Sequence, residues 1–221
     1  MHIALLGRPV AQSLSPRMQN AAFAARGLDW RYDAFEVDDV LAAVAALRTL
    51  GFAGANVTIP YKEQVVVACD EADGDAVNTL VFQDGRVVGF NTDKEILNGI
   101  DSARACVIGS GGAAKALVPA LPADTRVYTR SGQWPPDATD CDLIVNATPV
   151  RNELLVQPTA GQTVVDLAYG PDETALVAAA KAAGCAVVDG REALVRQGAA
   201  SFRLWTGLDP PVDVMRAAVR T

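Results

Sequence analysis

Short apolar runs alternate with longer segments of helical periodicity along the chain. Residues 3–6 form the first apolar run, which Gly7 ends, and Ser15 with Pro16 predicts the N-cap and first turn of a helix that reaches Arg26. This order of strand and helix favours βα units and a parallel sheet. The pattern further predicts strands at 32–37 and 54–59, a helix at 39–50, and a hairpin of strands 77–82 and 86–90.

The same pattern starts again near residue 103, which indicates a second α/β unit. With 221 residues the chain is long for one core and short for two full domains, so we expect two compact lobes that meet near Gly99. A helix that opens at Asp93 is expected to lead into this connection. The strands predicted beyond it are 105–108, 126–129, 143–146, 163–167 and 186–188, and the helices are 113–121, 174–183, 201–205 and 212–219.

The composition narrows the class of protein. Half of the residues are hydrophobic, and the formal net charge is -7 with an isoelectric point near 4.7. An acidic protein is a poor partner for nucleic acid, because phosphate contacts need clustered lysines and arginines. No segment approaches the roughly 20 apolar residues of a membrane span, and the N-terminus enters a strand without a basic leader. We therefore expect a soluble, cytoplasmic protein that acts on a small molecule.

Cysteine and histidine usage excludes several kinds of site. The four cysteines are scattered, without a C-x-x-C pair or partner histidines, so no metal site is indicated and reduced thiols are expected. His2 is the single histidine, which excludes Ser-His-Asp hydrolases and dehydrogenases with a catalytic histidine. No tyrosine is followed by a lysine four positions later, so the tyrosine–lysine pair of short-chain dehydrogenases is absent too. Lys62 is left as the candidate acid or base.

Polar side chains occupy one face of the predicted strand 54–59. On a strand with a period of two residues, Asn56 and Thr58 lie on one face, while Val57 and Ile59 face the core. Two hydrogen-bonding side chains are therefore expected on one surface of the first lobe.

A lysine and an aspartate are expected to meet beyond the ends of two strands. Pro60 ends the strand 54–59 and places Lys62 just past its carboxyl end, where open α/β sheets bind ligands. Asp93 follows the strand 86–90 and opens a helix. A charge pair of this kind fixes the lysine and lets the two groups share proton transfer, although a lone lysine in a turn is more often simply solvated.

A glycine-rich turn follows the predicted strand 105–108. Gly109, Gly111 and Gly112 lead into a helix that carries Lys115, and this strand–turn–helix order lets backbone N–H groups approach a pyrophosphate. A glycine cluster alone often marks only a tight turn, but the flanking strand and helix favour nucleotide binding.

The end of the next strand indicates which dinucleotide is bound. In NAD sites an acidic residue about 20 positions after the first glycine binds the ribose 2′-hydroxyl. Here the strand ends in Tyr128, Thr129, Arg130 and Ser131, which include a cation and no acid. An arginine can pair with a 2′-phosphate and lie against adenine, so NADP is preferred over NAD unless Arg130 is an ordinary surface residue.

Six motifs resemble those of one known family, in its order and over nearly the whole chain. They are GxPVxxSLSP at 7–16, NVTxPxK at 56–62, AVNTL at 76–80, NTD at 91–93, NAT at 146–148 and QxAxxFxxWTG at 197–207. On these motifs the sequence is similar to the shikimate dehydrogenase family, as a shortened member.

The resemblance implies a fold and a reaction. The expected fold is α/β, with an N-terminal substrate-binding lobe at 1–99, a minimised Rossmann-type NADP-binding lobe at 100–199 and a cleft between them. The C-terminal helix, about 200–221, is expected to pack back on the first lobe. The implied reaction is the NADP-dependent, reversible reduction of 3-dehydroshikimate to shikimate, a step of aromatic amino acid biosynthesis. Alternatives are a quinate or aminoshikimate dehydrogenase, or a ligand sensor without turnover, and the chain is expected to be a monomer or a homodimer.

The resemblance also implies roles for individual residues. Lys62 and Asp93 would form the catalytic pair, whose retention favours an enzyme over a sensor. The substrate would be bound by Ser13, Ser15, Asn56, Thr58, Asn78, Tyr169 and Gln197. NADP would be held by Gly109, Ser110, Gly111, Gly112, Ala113, Thr129, Arg130 and Ser131, with Ala147, Thr148, Leu167, Gly190 and Ala193 around its nicotinamide half.

The chain departs from the family pattern in two ways. Gln12 and Gln19 stand where histidine is usual, and Lys94 stands where glycine is usual, so Lys94 is a candidate to perturb Asp93 or contact the cofactor. Residues 131–142 contain two consecutive prolines and are not expected to form the helix that normally covers the adenine side. With a trimmed loop after Thr148 as well, we expect a weaker grip on NADP.

Overall fold

Two groups of elements, each built around its own sheet, make up the protein. The computed structural model describes residues 1–220, so Thr221 at the end of the predicted C-terminal segment lies outside the described residues. Contacts divide the chain into one unit that contains Met1–Glu95 and the residues from Val195 onward, and a second unit, Ile96–Leu194. The prediction of an α/β fold with two sheets is confirmed.

Strands and helices alternate along most of the described chain. The strands are β1 His2–Gly7, β2 Arg31–Glu36, β3 Gly54–Val57, β4 Glu71–Ala72, β5 Thr79–Gln83, β6 Arg86–Phe90, β7 Ala105–Ile108, β8 Arg126–Tyr128, β9 Leu143–Asn146, β10 Thr163–Asp166 and β11 Ala186–Val188. The α-helices are α1 Ser15–Ala25, α2 Val40–Thr49, α3 Gly112–Leu117, α4 Ala175–Ala182, α5 Gly190–Thr206 and α6 Val212–Arg220. Short 3-10 helices lie at Gln64–Ala68, Thr92–Leu97 and Val118–Ala120.

The first unit contains a mixed six-stranded sheet in the order β2-β1-β3-β5-β6-β4. Strand β1 runs parallel to both β2 and β3, whereas β5 is antiparallel to β3 and β6. The predicted hairpin of β5 and β6 turns at Asp84 and Gly85, whose φ angles of 53° and 77° suit the two-residue turn that matches the twist of the strands. Helix α2 packs on this sheet through Val40, Val44 and Leu47.

The helices α1 and α5 also pack within the first unit. The rings of Phe23 on α1 and Phe202 on α5 stack with centroids 5.6 Å apart. Trp205 Nε1 donates a hydrogen bond of 3.0 Å to the carbonyl of Leu80 on β5, so the last turn of α5 is fixed to the central part of the sheet. Aromatic burial and a buried hydrogen bond therefore stabilise the attachment of α5.

Several predicted element ends are wrong, and three of them have a clear physical reason. Strand β3 ends at Val57, and Ile59 is 66% exposed instead of facing the core, because the chain turns where the Tyr61 N–H bonds to the Thr58 carbonyl. Helix α1 has Leu14 as its N-cap residue, and Ser15 is already helical. Helix α5 starts at Gly190, eleven residues before the predicted 201, since packing outweighs the low helix propensity of its glycines.

The second unit contains a parallel sheet in the order β11-β10-β9-β7-β8. Strand β7 lies between β8 on one side and β9 on the other, so the direction of the strand order reverses at β7. Ligands of open α/β sheets bind at such a reversal, beyond the carboxyl ends of the strands. The parallel Rossmann-like sheet predicted for the second half of the chain is confirmed.

Helix α4 covers part of one face of the second sheet through Leu176 and Ala180, and the rest of that cover contains no helix. The residues between β8 and β9 form neither helix nor strand, as the two prolines predict. Instead, the side chains of Ala138, Leu155 and Val156 are buried against Tyr128 and Ile144 of the sheet. Gln162 Nε2 holds this cover in place by donating to the carbonyls of Ala138 and Cys141, at 2.8 and 2.7 Å. Extended segments therefore replace the missing helix.

The cysteines carry free thiols. Cys106 and Cys141 are buried, and Cys69 and Cys185 are partly buried. Burial raises the pKa of Cys69 to about 11, and burial also raises the pKa of Cys106, so neither thiol ionises readily. No helix of the described residues is long and apolar enough to cross a bilayer.

The close approach of Trp205 to β3 leads to a stability prediction. A Cβ atom at Gly54 would collide with the Leu80 carbonyl oxygen and lie 2.6 Å from Trp205 Nε1. We expect Gly54→Ala to destabilise the first unit by about 2 kcal/mol or more, because overpacking forces backbone shifts. The melting temperature followed by circular dichroism measures this effect. Gly74→Ala is the matched control, since a Cβ there meets nothing within 4 Å; equal melting temperatures for the two variants would contradict the prediction.

Candidate active site

Lys62 and Asp93 form an ion pair in the first unit. Lys62 Nζ lies 2.6 Å from Asp93 Oδ2, and the two side chains are only 14% and 7% exposed. Lys62 follows the turn that ends β3, and Asp93 lies in the 3-10 helix that follows β6. Because little water reaches this pair, its attraction is screened less than that of a surface pair.

The second oxygen of Asp93 is bound by Asn78. Asn78 Nδ2 donates to Asp93 Oδ1 over 2.7 Å, and the Asp93 N–H donates to Asn91 Oδ1 over 3.1 Å. The orientation of the Asn78 amide is fixed, since its Oδ1 accepts a hydrogen bond of 2.9 Å from the Thr92 N–H, which can only donate. The carboxylate therefore has one ammonium and one amide partner in fixed positions.

Behind Asn78, three buried hydroxyls form a closed cluster. Ser201 Oγ lies 2.8 Å from Thr79 Oγ1 and 3.2 Å from Thr92 Oγ1. Both threonine hydroxyls contact Asn78 Oδ1, at 2.9 and 3.0 Å. Ser201 Oγ also donates to the carbonyl of Gln197 over 3.2 Å. The cluster thus links the amide that holds Asp93 to helix α5.

Asn56 donates into the same cluster from β3. Its Nδ2 atom lies 2.9 Å from the Asn78 carbonyl, 3.0 Å from Thr79 Oγ1 and 3.1 Å from Ser201 Oγ. Its Oδ1 atom accepts a hydrogen bond of 2.8 Å from the Tyr32 hydroxyl. The side chain that was predicted to contact a substrate therefore has protein partners for both ends of its amide.

Other predicted substrate residues lie beyond the carboxyl ends of β1 and β3. The Thr58 N–H bonds to the Leu6 carbonyl over 2.9 Å, which keeps Thr58 beside the end of β1. Ser13 and Ser15 follow β1, and Ser13 Oγ accepts a hydrogen bond of 3.2 Å from the Ser15 N–H. Parallel strands end at one edge of a sheet, so these three hydroxyls share an edge with the segment that carries Lys62.

Two predicted residues come from later parts of the chain. Gln197 lies on α5 in the first unit, where Gln19 Nε2 donates to the neighbouring Gly198 carbonyl over 2.9 Å and ties α5 to α1. Tyr169 belongs to the second unit, in the loop after β10.

Lys94 contacts neither member of the ion pair through its ammonium group. Its Nζ atom lies 3.0 Å from Asp73 Oδ2, and Asp73 Oδ1 accepts a hydrogen bond of 2.8 Å from the Asn91 N–H. The lysine that replaces the usual glycine therefore braces the loop before Asp93.

The glycine turn of the second unit lies at the reversal of strand order. Gly109 follows β7 with a φ of 111°, and a Cβ there would lie 3.1 Å from both the Ala147 carbonyl oxygen and Thr148 Cγ2. Only glycine fits this conformation and this contact. Ser110 and Gly111 are exposed, and a Cβ at Gly111 would meet nothing within 4 Å. The turn before α3 thus leaves open space at its backbone, which fits a pyrophosphate.

The residues predicted around the nicotinamide lie near the ends of β9 and β10. Asn146 Nδ2 donates to Asp166 Oδ1 over 2.9 Å, and Asn146 Oδ1 accepts from the Thr148 N–H over 3.0 Å. Asp166 also accepts from the Thr174 hydroxyl, and burial raises the pKa of its carboxyl. This buried network holds both strand ends. Of the predicted set, Ala147, Leu167 and Ala193 pack in one apolar cluster, and Gly190 begins α5.

The residues predicted around the adenosine follow β8. Thr129 is partly buried, whereas Arg130 and Ser131 are exposed. The Arg130 guanidinium lies over the ring of Trp134, 5.6 Å from its centroid, and Arg130 Nη2 lies 3.2 Å from Glu153 Oε2. The cation needed for a 2′-phosphate is present, and it has an aromatic and an acidic neighbour.

Comparison with known proteins identifies the family. The model of the shikimate dehydrogenase substrate binding domain matches residues 5–80, and that of the shikimate 5′-dehydrogenase C-terminal domain matches residues 190–220. Shikimate dehydrogenase (NADP(+)) of Moorella thermoacetica is 38% identical over 271 residues, covering 99% of this chain and 92% of that protein. The chain belongs to the shikimate dehydrogenase family. The predicted resemblance is thereby confirmed.

Further family members agree in sequence and in fold. Shikimate dehydrogenase (NADP(+)) of Pyrococcus abyssi is 36% identical, covering 96% of this chain and 94% of that protein. The crystal structure of shikimate 5-dehydrogenase from Thermus thermophilus in complex with NADP(H) and shikimate is 33% identical. It superposes with a TM-score of 0.87 and covers 100% of this chain and 98% of that chain.

This member of the family is short. The alignment with the Moorella protein extends over 271 residues, whereas this chain has 221, so that shikimate dehydrogenase has segments without a counterpart here. In this shorter form, irregular segments with Ala138, Leu155 and Val156 share the burial of one face of the second sheet with helix α4.

The sequence interpretation did not find two residues at these sites. Ser201 occupies an unspecified position of the family motif at 197–207, so nothing in the motif distinguished it. Glu153 is 23 residues beyond Arg130, and no strand or turn pattern connects the two. Only the folded chain brings either residue to its partners.

The hydroxyl cluster leads to a second prediction. Ser201→Ala removes a fully buried hydroxyl that Thr79 and Asn56 both contact. We expect a loss of about 1–3 kcal/mol in the free energy of unfolding, because buried polar groups lose a partner. Urea unfolding measures it by tryptophan fluorescence in a Trp134→Phe background, which leaves Trp30 and Trp205 of the first unit as the reporters.

Thr49→Ala provides the control for this measurement. The Thr49 hydroxyl is exposed and bonds to the Ala45 carbonyl of its own helix. Its removal is expected to change the free energy of unfolding by no more than about 0.5 kcal/mol. A Ser201→Ala variant as stable as the Thr49→Ala variant would show that the cluster is not needed.

Proposed function

We propose that this chain is an NADP-dependent shikimate dehydrogenase that reversibly reduces 3-dehydroshikimate to shikimate. The observation that carries the proposal is the Lys62–Asp93 contact of 2.6 Å in a nearly dry environment. Such a pair can deliver and recover the proton that interconversion of a ketone and an alcohol requires. Membership of a family whose relatives carry this activity supports the same reaction.

The two units divide the ligands between them. We assign the substrate to the first unit, with the ion pair, and NADP to the second unit, with the glycine turn and Arg130. The division follows the chemistry of the residues: neutral polar side chains and one charge pair in the first, and backbone N–H groups and a guanidinium in the second.

Lys62 transfers the proton in this mechanism. The bound cofactor would supply the hydride as NADPH in reduction and would take it up as NADP+ in oxidation. In the direction of reduction, C3 of the substrate ring gains a hydride as the π bond to its oxygen breaks, and the oxygen gains a proton from Lys62 Nζ. In oxidation the amine of Lys62 takes this proton back. Asp93 holds Nζ in place and balances its charge, and Asn78 keeps Asp93 from rotating.

Hydroxyl and amide groups around the ion pair bind the rest of the substrate. The Ser13 and Ser15 hydroxyls donate to its carboxylate. Asn56 supports the substrate site indirectly, through hydrogen bonds that it already makes within the protein. The ring hydroxyls are bound by Thr58, Asn78 and Gln197, which all belong to the first unit. Lys62 therefore meets a ring whose position is set by neutral hydrogen-bonding groups.

The cofactor assignments follow the open turn and the strand ends of the second unit. The backbone of 109–113 binds the pyrophosphate, and 129–131 bind the adenosine and its 2′-phosphate. Ala147, Thr148, Leu167, Gly190 and Ala193 surround the nicotinamide half. The free cysteines suit a reducing compartment, so we place the enzyme in the cytoplasm.

Replacement of Lys62 tests the role of the ion pair. Lys62→Ala removes the group that accepts the proton when shikimate is oxidised and leaves the hydroxyl groups of the substrate site, so kcat should fall by about 10²- to 10⁴-fold. Affinity for shikimate should change by only a few-fold. Reduction of NADP with shikimate, quinate and an amino analogue measures the rates, and calorimetry with shikimate measures binding.

The control for this experiment is Lys181→Ala. Lys181 also pairs with a carboxylate, that of Glu173, but it is 57% exposed on α4. Its loss should leave kcat unchanged. A Lys62→Ala variant that turns over as fast as Lys181→Ala would remove Lys62 from the mechanism, and binding of shikimate without turnover in the parent would favour the sensor.

The cover of the second sheet leads to a further prediction, on affinity for NADP. Residues 129–142 contain no helix, so fewer groups are fixed beside the adenosine. We expect a dissociation constant for NADP weaker than about 10 µM, a binding free energy of about 7 kcal/mol or less. Calorimetry measures it directly, and tight, submicromolar binding would contradict the prediction.

A further inference from the structure

Arg130, the residue assigned to the 2′-phosphate, already pairs with a carboxylate of this chain. Its Nη2 atom lies 3.2 Å from Glu153 Oε2, and the two side chains are 68% and 60% exposed. A carboxylate is also the group that binds the ribose 2′-hydroxyl in NAD sites. No acidic residue follows β8 directly in the sequence, but Glu153 places a carboxylate at this strand end from a different loop.

Glu153 reaches this position because of how the second sheet is covered. Leu155 and Val156, two and three residues later, are buried against Tyr128 at the end of β8. Their burial fixes the backbone that carries Glu153 beside the start of the adenosine segment. The acid is therefore placed by the packing of the segment that replaces the missing helix.

Arg130 is held on its other side by Trp134. The ring centroid lies 5.6 Å from the guanidinium carbon, a distance typical of a cation–π contact. The aromatic and acidic neighbours of Arg130 thus both come from extended cover segments, one before β9 and one after it. Trp134 and Glu153 together fix the position of the Arg130 guanidinium.

We propose that Glu153 determines the cofactor specificity of this protein: it opposes the 2′-phosphate of NADP, accepts the ribose 2′-hydroxyl of NAD, and so makes the chain a dual-cofactor enzyme. The inference rests on the proposed function, because it concerns the adenosine end of the same site. To bind Arg130, a 2′-phosphate must displace the Glu153 carboxylate and then lie beside a like charge. A ribose with a free 2′-hydroxyl needs no displacement and can donate to Glu153.

The size of the effect follows from exposure. An ion pair between exposed side chains is weak, so Glu153 reduces NADP binding without preventing it. We expect its charge to change the affinity for a 2′-phosphate by about three- to tenfold, and the affinity for a 2′-hydroxyl by a similar factor in the opposite direction.

Calorimetry on the full chain with Glu153→Gln tests this inference. The substitution keeps the size of the side chain and removes its charge. The titrants are NADP and NAD, and also 2′,5′-ADP and 5′-AMP, which differ only in the 2′-phosphate and do not involve the nicotinamide half. Glu153→Gln should tighten NADP and 2′,5′-ADP by about three- to tenfold and weaken NAD and 5′-AMP by a similar factor.

Glu173→Gln is the matched control, since Glu173 also pairs with a cation on the surface of the second unit. It should leave all four affinities unchanged. Combining Glu153→Gln with Arg130→Ala separates the two ways in which Glu153 opposes the 2′-phosphate, competition for Arg130 and direct repulsion. Without the guanidinium there is no competition, so Glu153→Gln should then tighten 2′,5′-ADP by less than it does when Arg130 is present.

Two results would overturn the inference. If Glu153→Gln leaves the ratio of NADP to NAD affinity unchanged while the parent binds NADP and turns over shikimate, the specificity role is lost and the proposed function stands. If the parent binds neither dinucleotide, the proposed function and the inference both fail.

Discussion

The Asp93 carboxylate is the group on which the first unit depends. One of its oxygens meets the Lys62 ammonium and the other meets the Asn78 amide, in surroundings that exclude most water. A buried carboxylate is stable only when such partners are present, so the chain must keep both of them in place. The strand ends, the turn after β3 and the 3-10 helix after β6 supply these groups from three separate parts of the sequence. The geometry of the proposed catalytic pair and the folding of the first unit therefore rest on the same contacts.

In the second unit the main constraint is that few residues are available to cover the faces of a parallel sheet. A sheet face buries its apolar side chains against a second layer, and a helix is the usual choice. Here helix α4 covers only part of the face, irregular segments with Ala138, Leu155 and Val156 cover the rest, and Gln162 donates to the Ala138 carbonyl. The exposed carboxylate of Glu153 lies beside Arg130 because it is carried by one of these short irregular segments. The proposed specificity at the adenosine end is thereby coupled to how the apolar core of the second unit is covered.

The sequence was informative where function depends on local order. A strand followed by a proline and a lysine was enough to place Lys62 at a sheet edge, and the pairing with Asp93 follows from strand ends that meet at that edge. Ile59 was predicted to face the core because the alternation of polar and apolar residues continues in the sequence beyond the point where the backbone turns. Ser201 and Glu153 could not be found, since each meets its partners through packing between segments distant in sequence. Such contacts have no periodic signal.

The hydroxyl cluster around Asn56 affects the entropy of ligand binding. Its donors and acceptors are matched among themselves, so these side chains lose their rotameric freedom when the chain folds and not when a ligand arrives. Preorganisation of this kind lowers the entropic penalty of association. In the proposed site it also makes the protein surface beside the substrate ring rigid, so that discrimination between similar polyols would be set by fixed geometry instead of by induced fit.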